Sequence, residues 1–353
     1  LHVGSLLPIM GLARLQRFGH HAIALVGGGT GLIGDPSGKT AERQLLTKEK
    51  VQENLDGIKN QLSHFLDFEA EGNPARIENN LDWLGELQLI DFLRDTGKHF
   101  TVNYMLSKES VKRRIEAEDG ISYTEFTYMM LQAYDFLALS RRRGCNLQLG
   151  GSDQWGNILA GTDLIRRADS KKAHGLVFPL VTNSSGTKFG KTESGTVWLD
   201  PERTSPYRFY QFWMNTDDRD VIPYLKYFTW LGRKEIEALE SEFNENPGAR
   251  TAQRTLAQHA TTLVHGAAEY EKALVASKVL FGGSLEAMTV ADLKDIFEDV
   301  PSTTLSSASL SDGGMGLLSL CTETGITGSN GEARRLIRQG GLFINNERVV
   351  DEN

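Results

Sequence analysis

The opening of the chain constrains its fold more than any other stretch. LLPIMGLARLQRFG (6 to 19) carries apolar residues at helical spacing, and AIALVG (22 to 27) is a short β-type run that ends in glycines. A helix feeding directly into a buried strand predicts an α/β core. The pattern continues with a polar-faced helix over about 41 to 66, helices around 81 to 95 and 122 to 140, and a strand CNLQLG at 145 to 150. A further helix is expected after Gly151-Ser152-Asp153-Gln154. Strands separated by helices favour a mostly parallel sheet covered by helices on both faces. Strand signals stop from Ser205 to about Val300, where RKEIEALESEF (233 to 243) and the run from Arg250 to Phe281 read as helices. A second, all-helical domain is therefore expected over 205–300, followed by a Ser-, Thr- and Gly-rich linker at 301–316.

With 353 residues the chain is long for one core, and two or three domains are expected. Its 38 Lys+Arg against 46 Asp+Glu, a net charge of −8, argue against a generic polyanion binder and leave local basic patches such as Arg141-Arg142-Arg143 and Arg166-Arg167. Cys145 and Cys321 lie far apart and form neither a CxxC pair nor a disulfide framework, a usage that suits a reducing cytoplasm. No apolar run approaches the roughly 20 residues that span a bilayer, so no membrane partner is expected.

Three glycine loops invite an anion. GTGLIG (29 to 34) matches the dinucleotide fingerprint directly after a strand, with Glu49 and Glu53 roughly 20 residues on. That fingerprint needs a helix to begin inside the motif, and Asp35-Pro36-Ser37-Gly38 opposes one. GDPSGKT (34 to 40) and GTKFGKT (186 to 192) each resemble a P-loop but carry three residues, not four, before Gly-Lys-Thr. HVGS (2 to 5), at the mouth of a helix, adds an imidazole and backbone amides. Each loop alone could equally be an ordinary glycine turn with solvated lysines.

Taken in order, HVGS before a helix, GLIGDPSGK, YMMLQAYDF, GGSDQWGN and KFGKT resemble the motifs of bacterial-type tyrosyl-tRNA synthetases, class I aminoacyl-tRNA synthetases. HVGS stands where that family has HIGH, with Ser5 in place of the second histidine, and KFGKT stands where it has KMSKS. The resemblance runs through essentially the whole chain. It implies a Rossmann-like catalytic domain over 1–204, tyrosine activation by ATP with Mg²⁺ and no tightly bound cofactor or protein-held metal, transfer to tRNA, a homodimer and a cytoplasmic location. It also implies further tyrosine contacts before Leu1.

By the same resemblance, His2, Lys39, Lys188, Lys191 and Thr192 are the catalytic residues, with Arg43 beside Lys39. Gly4, Ser5, Gly151, Asp153, Leu180 and Val181 would meet ATP. Asp35, Tyr128 and Gln132 would hold the substrate ammonium, with Gln154 nearby and Asp135 beneath the phenol hydroxyl. Spacing agrees in part: Tyr128, Gln132 and Asp135 fall at i, i+4 and i+7, one face of a helix. The segment 317–353 resembles a small α+β RNA-binding domain, a helix pair followed by a β-hairpin, with Arg334, Arg335 and Arg338 suited to RNA phosphates. Arg166 and Arg167 would meet the acceptor arm. The tryptophanyl enzyme, a degenerate synthetase that only binds RNA, and a nicotinamide-dependent dehydrogenase are the alternatives.

Overall fold

In a computed structural model, the described residues are 1–34, 47–116, 120–184, 186, 189–192, 195–280, 289–290, 293–294, 297, 303–306, 314–345 and 347–351. Contacts group the chain into two compact units, Leu1–Asp200 with Pro223–Phe228, and Pro201–Ile222 with Thr229–Asn353.

In the first unit the helix Leu6–Arg17 runs into β1 (Ile23–Val26), which pairs in parallel with β2 (Arg76–Asn79) from Ile23↔Arg76 to Val26↔Asn79. β3 (Leu147–Gly151) pairs in parallel with β4 (His174–Phe178) from Leu147↔His174 to Gly151↔Phe178. Parallel strands need crossover connections, and helices supply them here: Lys48–Leu62 between β1 and β2, Trp155–Asp169 between β3 and β4. The first strand and the α/β class follow the sequence reading. β2 and β4 do not. RIEN has no apolar alternation, so its pairing with β1 is set by tertiary context.

The helix expected over about 41 to 66 is Lys48–Leu62, capped by the Thr47 hydroxyl, which accepts from the Lys50 N–H; positions 41 to 46 lie outside the described residues. The helix expected around 81 to 95 is two, Leu81–Leu84 and Leu89–Asp95, separated at Gly85, a poor helix former. The central helix is Tyr123–Arg143. Ser122 caps its start, and Gly144, at φ 67°, stops it in the left-handed conformation that glycine adopts without strain. Its Met129, Met130, Ala133, Phe136 and Leu137 pack with Ala160, Leu164 and Ile165 of Trp155–Asp169.

In the second unit, Pro206–Met214, Arg233–Glu245, Thr251–His265 and Ala267–Leu280 are helices, and Gly266, at φ 88°, breaks the run read from 250 onward. Further along, the helices Leu317–Glu323 and Asn330–Arg338 and an antiparallel pair of short strands, β5 (Phe343–Ile344) with β6 (Glu347–Arg348), close over Cys321, Ala333, Ile337 and Leu342.

One buried ion pair holds the start of the central helix. The Arg114 guanidinium donates to Glu125 Oε2 at 2.9 Å, with both side chains only 3% exposed. Breaking such a pair from one side leaves an uncompensated buried charge, whereas replacing both partners does not. Arg114→Met should cost about 3–5 kcal/mol in urea unfolding, and Arg114→Met with Glu125→Leu should recover most of it. Equal losses in the single and double variants would contradict this.

Candidate active site

The segments HVGS and KFGKT, separated by more than 180 positions, lie against each other. The Val3 N–H donates to Val197 O at 3.0 Å, and the Val197 N–H donates to Gly190 O at 3.0 Å. A Cβ on Gly190 would sit 2.5 Å from Val3 Cγ2 and 3.4 Å from Gly4 N, and Gly190 has φ 81°, so sterics and backbone both require glycine there. Between the two lysines, Phe189 is buried. Its N–H donates to Val181 O at 3.1 Å, and its ring stacks on Phe228 at 5.2 Å and meets Tyr224 edge-on at 4.9 Å. The loop is thus anchored at its middle. The backbone of Lys191–Thr192 pairs with Gly195–Thr196 in a two-residue ladder; the Lys191 and Thr192 side chains, and all of Lys188, lie outside the described residues.

His2 has a defined hydrogen-bonding role. Its Nδ1 accepts from the Gly4 N–H at 3.0 Å, so the ring proton of the neutral imidazole sits on Nε2, which is a donor. Ser5 N-caps the helix Leu6–Arg17 without a side-chain capping bond.

Tyr128, Gln132 and Asp135 do fall on one helix, Tyr123–Arg143. Asp135 is 2% exposed and is not waiting unpaired for a ligand: Asn80 Nδ2 donates to its Oδ2 at 3.0 Å and Trp83 Nε1 to its Oδ1 at 2.7 Å. Burial pushes the carboxyl up to about 6, against the lowering effect of the Asn80 and Trp83 donors. An ionised carboxylate offers about four acceptor positions, so two remain. Asn80 and Trp83 were missed from sequence because both follow the unforeseen strand β2.

Asn80 also explains the glycine loop. Its Oδ1 accepts from Gly29 N–H at 2.7 Å and Thr30 N–H at 3.4 Å, its Nδ2 donates to Thr30 Oγ1 at 2.8 Å, and Asn79 Oδ1 accepts from Gly28 N–H at 3.1 Å. A 3₁₀ turn, Thr30–Leu32, replaces the helix that a dinucleotide site requires. The amides that would cradle a pyrophosphate are already engaged by asparagines, which removes the basis of the dehydrogenase reading.

Gln132 and Gln154 are joined by Asn157, whose Nδ2 donates to Gln132 Oε1 at 2.9 Å and to Gln154 Oε1 at 3.4 Å. Asn157 is buried and closes GGSDQWGN, a motif whose last residue sequence reasoning left without a role. A Cβ on Gly151 would lie 2.5 Å from Asp153 Oδ1 and 4.0 Å from Leu180 Cδ2, which brings three of the expected ATP contacts together beside Val181. Asp35, Lys39 and Arg43 lie outside the described residues. Arg166 and Arg167 are both paired with Asp163, at 2.8 and 2.9 Å, and Arg167 also donates to His99 O. Arg334, Arg335 and Arg338 are exposed on one short helix. Among the described residues no group of His, Cys, Asp or Glu side chains could hold a metal ion, and no helix is long and apolar enough to cross a membrane.

Comparison with known proteins gives one answer. The family model "tRNA synthetases class I (W and Y)" matches residues 1–282, and "Tyrosine--tRNA ligase SYY-like C-terminal domain" matches 292–353. The chain is 59% identical to the tyrosine--tRNA ligase of Roseiflexus castenholzii over 99% of this chain and 83% of that one. It is 57% identical to the enzyme of Geobacillus stearothermophilus over 99% and 82%. Among solved structures, a C-terminally truncated mitochondrial tyrosyl-tRNA synthetase of Aspergillus nidulans matches at TM-score 0.72 and 32% identity, covering 80% of this chain and 82% of that one.

The buried carboxyl makes a prediction about stability. Its folded value, about 6, lies above the ordinary 3.8, so the folded state prefers the neutral acid. Its contribution to stability is complete below about pH 4 and is lost as pH rises through about 6. Relative to Asp135→Asn, the parent protein should therefore lose about 1–2 kcal/mol of stability between pH 5 and pH 7.5 in urea unfolding. A difference that does not change with pH would show that the carboxyl is not penalised by burial.

Proposed function

The chain belongs to the class I tRNA synthetases of the tryptophan and tyrosine group, and on that premise we propose that it activates tyrosine with ATP and transfers the tyrosyl group to the 3′ end of tRNA(Tyr). In the first step the tyrosine carboxylate attacks the α-phosphorus of ATP, and pyrophosphate leaves. In the second, a ribose hydroxyl of the tRNA attacks the tyrosyl carbonyl and AMP leaves. The carboxylate is already ionised at neutral pH and needs no general base. What the first step needs is positive charge placed where negative charge develops on phosphoryl oxygens.

The observation that carries this reading is the contact of HVGS with KFGKT through Val3, Gly4 and Gly190. That contact puts the His2 Nε2–H donor on the segment touched by the loop whose sequence carries Lys188 and Lys191. Lys39 and Arg43 would approach the same phosphates, with ATP entering as its magnesium complex. Gly4 and Ser5 would meet the nucleotide, Gly151 and Asp153 the ribose, Leu180 and Val181 the adenine. Tyr128, Gln132 and Asp35 would hold the ammonium, with Gln154 aligned through Asn157. Asp135 would accept the phenol O–H, which favours tyrosine over tryptophan as substrate.

The domain roles are part of the proposal: 1–204 activation, 205–300 and 317–353 tRNA recognition, with 301–316 as linker. Arg334, Arg335 and Arg338 would meet RNA phosphates. Arg166 lines a surface depression with Thr162, Asp163, Ser170, Lys171 and Lys172, and Asp163 pairs with both Arg166 and Arg167, which would meet the acceptor arm. A homodimer is supported by apolar side chains left uncovered between β2 and the central helix: Leu89, Ile90 and Tyr123 are 70%, 71% and 73% exposed, and Val102 and Leu106 are exposed too. The reducing environment suited to two free cysteines supports a cytoplasmic location.

ATP–pyrophosphate exchange run with each of the twenty amino acids should respond to tyrosine, and Lys191→Ala should lower that rate by about 100- to 1000-fold with tyrosine affinity nearly unchanged. An unaltered rate in the variant would make the loop a solvated turn. In sedimentation at micromolar concentration the chain should run at about twice its own mass, and Tyr123→Asp with Ile90→Asp should shift it toward the monomer. A parent protein that is strictly monomeric would contradict the dimer.

A further inference from the structure

The central helix ends in three consecutive arginines, and the structure gives them different work. Arg141 is fixed to Asp169, with Nη2 at 2.6 Å from Oδ1. Arg143 is fixed to Glu78 on β2, with Nε at 2.6 Å from Oε1. Arg142 makes no ion pair among the described residues; its guanidinium carbon lies 5.4 Å from the centroid of the Trp83 ring. Trp83 is 2% exposed and packs with Ala138 and Leu139. Its other end is the N–H that donates to Asp135 at 2.7 Å.

Asp135 and Arg142 are i and i+7 on one helix, two turns apart on the same face. A single indole therefore spans both turns. Its N–H is held by the carboxylate at one and its face lies under the guanidinium at the other. We propose that Arg142 is a positioning residue for Asp135 and acts through Trp83, fixing the plane of the indole so that its N–H stays aimed at the carboxylate. The contact has two physical effects. A cation over the ring face is attracted by the ring quadrupole, which pins the ring. It also draws electron density from the ring and makes the N–H a stronger donor. The planar guanidinium suits this place better than an ammonium, because it stacks as well as carries charge. The two flanking arginines, tied to carboxylates on other elements, hold the helix end so that the middle one reaches Trp83.

The inference rests on the reading that Asp135 receives the substrate phenol, and the experiment separates the two. In tyrosine-dependent ATP–pyrophosphate exchange, Arg142→Met, which keeps length and removes charge, should raise the tyrosine KM about two- to fivefold, the size allowed by a partly exposed cation–π contact. The kcat should stay within about twofold, because the contact acts on tyrosine binding and not on the phosphoryl oxygens. Arg142→Lys should fall between the two. Trp83→Phe keeps a ring but has no N–H. Adding Arg142→Met to Trp83→Phe should then change KM by less than about 1.5-fold, since the path is already cut. An unchanged KM in Arg142→Met would overturn the inference, as would the same fold-increase in the Trp83→Phe background, which would mean that Arg142 acts by another route. Asp135→Asn, measured beside them, should lose the preference for tyrosine over phenylalanine. If it keeps that preference, the reading of Asp135 fails and the inference fails with it.

Discussion

The Asp135 carboxylate, buried and held by Asn80 and Trp83, is the interaction around which the first unit is arranged. Ionising a carboxyl at such a site is costly, and the raised value near 6 shows that two N–H donors offset only part of the burial penalty. The fold keeps the group nonetheless, and three elements are built to reach it: β1's glycine loop through Asn80, the short helix Leu81–Leu84 through Trp83, and the central helix itself. Each donor is made to serve twice. Asn80 satisfies Gly29 and Thr30 as well as Asp135, and Trp83 fills the apolar space beside Ala138 and Leu139. A polar network of this kind is expensive when half satisfied and specific when complete.

The same network explains why a dinucleotide fingerprint is present without a dinucleotide site. GTGLIG turns beside the end of β2: a Cβ on Gly28, just before the motif, would overlap the Asn79 side chain, and one on Gly29 would lie 3.3 Å from Asn80 Oδ1. The glycines permit close approach, as in a nucleotide loop, but what approaches is an asparagine side chain. The proposed phosphate chemistry belongs elsewhere, where Gly190 lets KFGKT press against Val3 and Gly4. Phe189 fixes the middle of that loop on Tyr224 and Phe228.

Much of this was legible in the sequence, and what was not has physical reasons. Periodicity gave the helix Leu6–Arg17, the strand Ile23–Val26 and the placing of Tyr128, Gln132 and Asp135 on one helix face, because each has a local apolar pattern. The family motifs implied that HVGS and KFGKT serve one reaction, which no local pattern could. RIEN and HGLVF were passed over: the first is polar at alternate and adjacent positions, and its strand conformation comes from its neighbour β1. Asn80, Trp83 and Asn157 were missed because they act on other side chains, and partners fifty or twenty-five positions apart leave no mark on spacing. Gly85 and Gly266 interrupt the helical runs expected over 81 to 95 and from 250 onward, because glycine ends a helix at little cost even inside an apolar helical pattern.

If the protein maintains a costly carboxylate in order to read a phenol hydroxyl, the substrate itself must change how that carboxylate titrates. Carbon-13 labelling of the aspartate carboxyls, with Asp135 assigned through Asp135→Asn, allows the titration to be followed by NMR in the free protein and with saturating tyrosine or phenylalanine. The free protein should show a midpoint near 6, the value that burial imposes. Tyrosine, by donating its O–H, should pull the midpoint down and keep the group ionised, while phenylalanine should push it up by covering the carboxyl without supplying a donor. Equal titration with both amino acids would contradict the central claim.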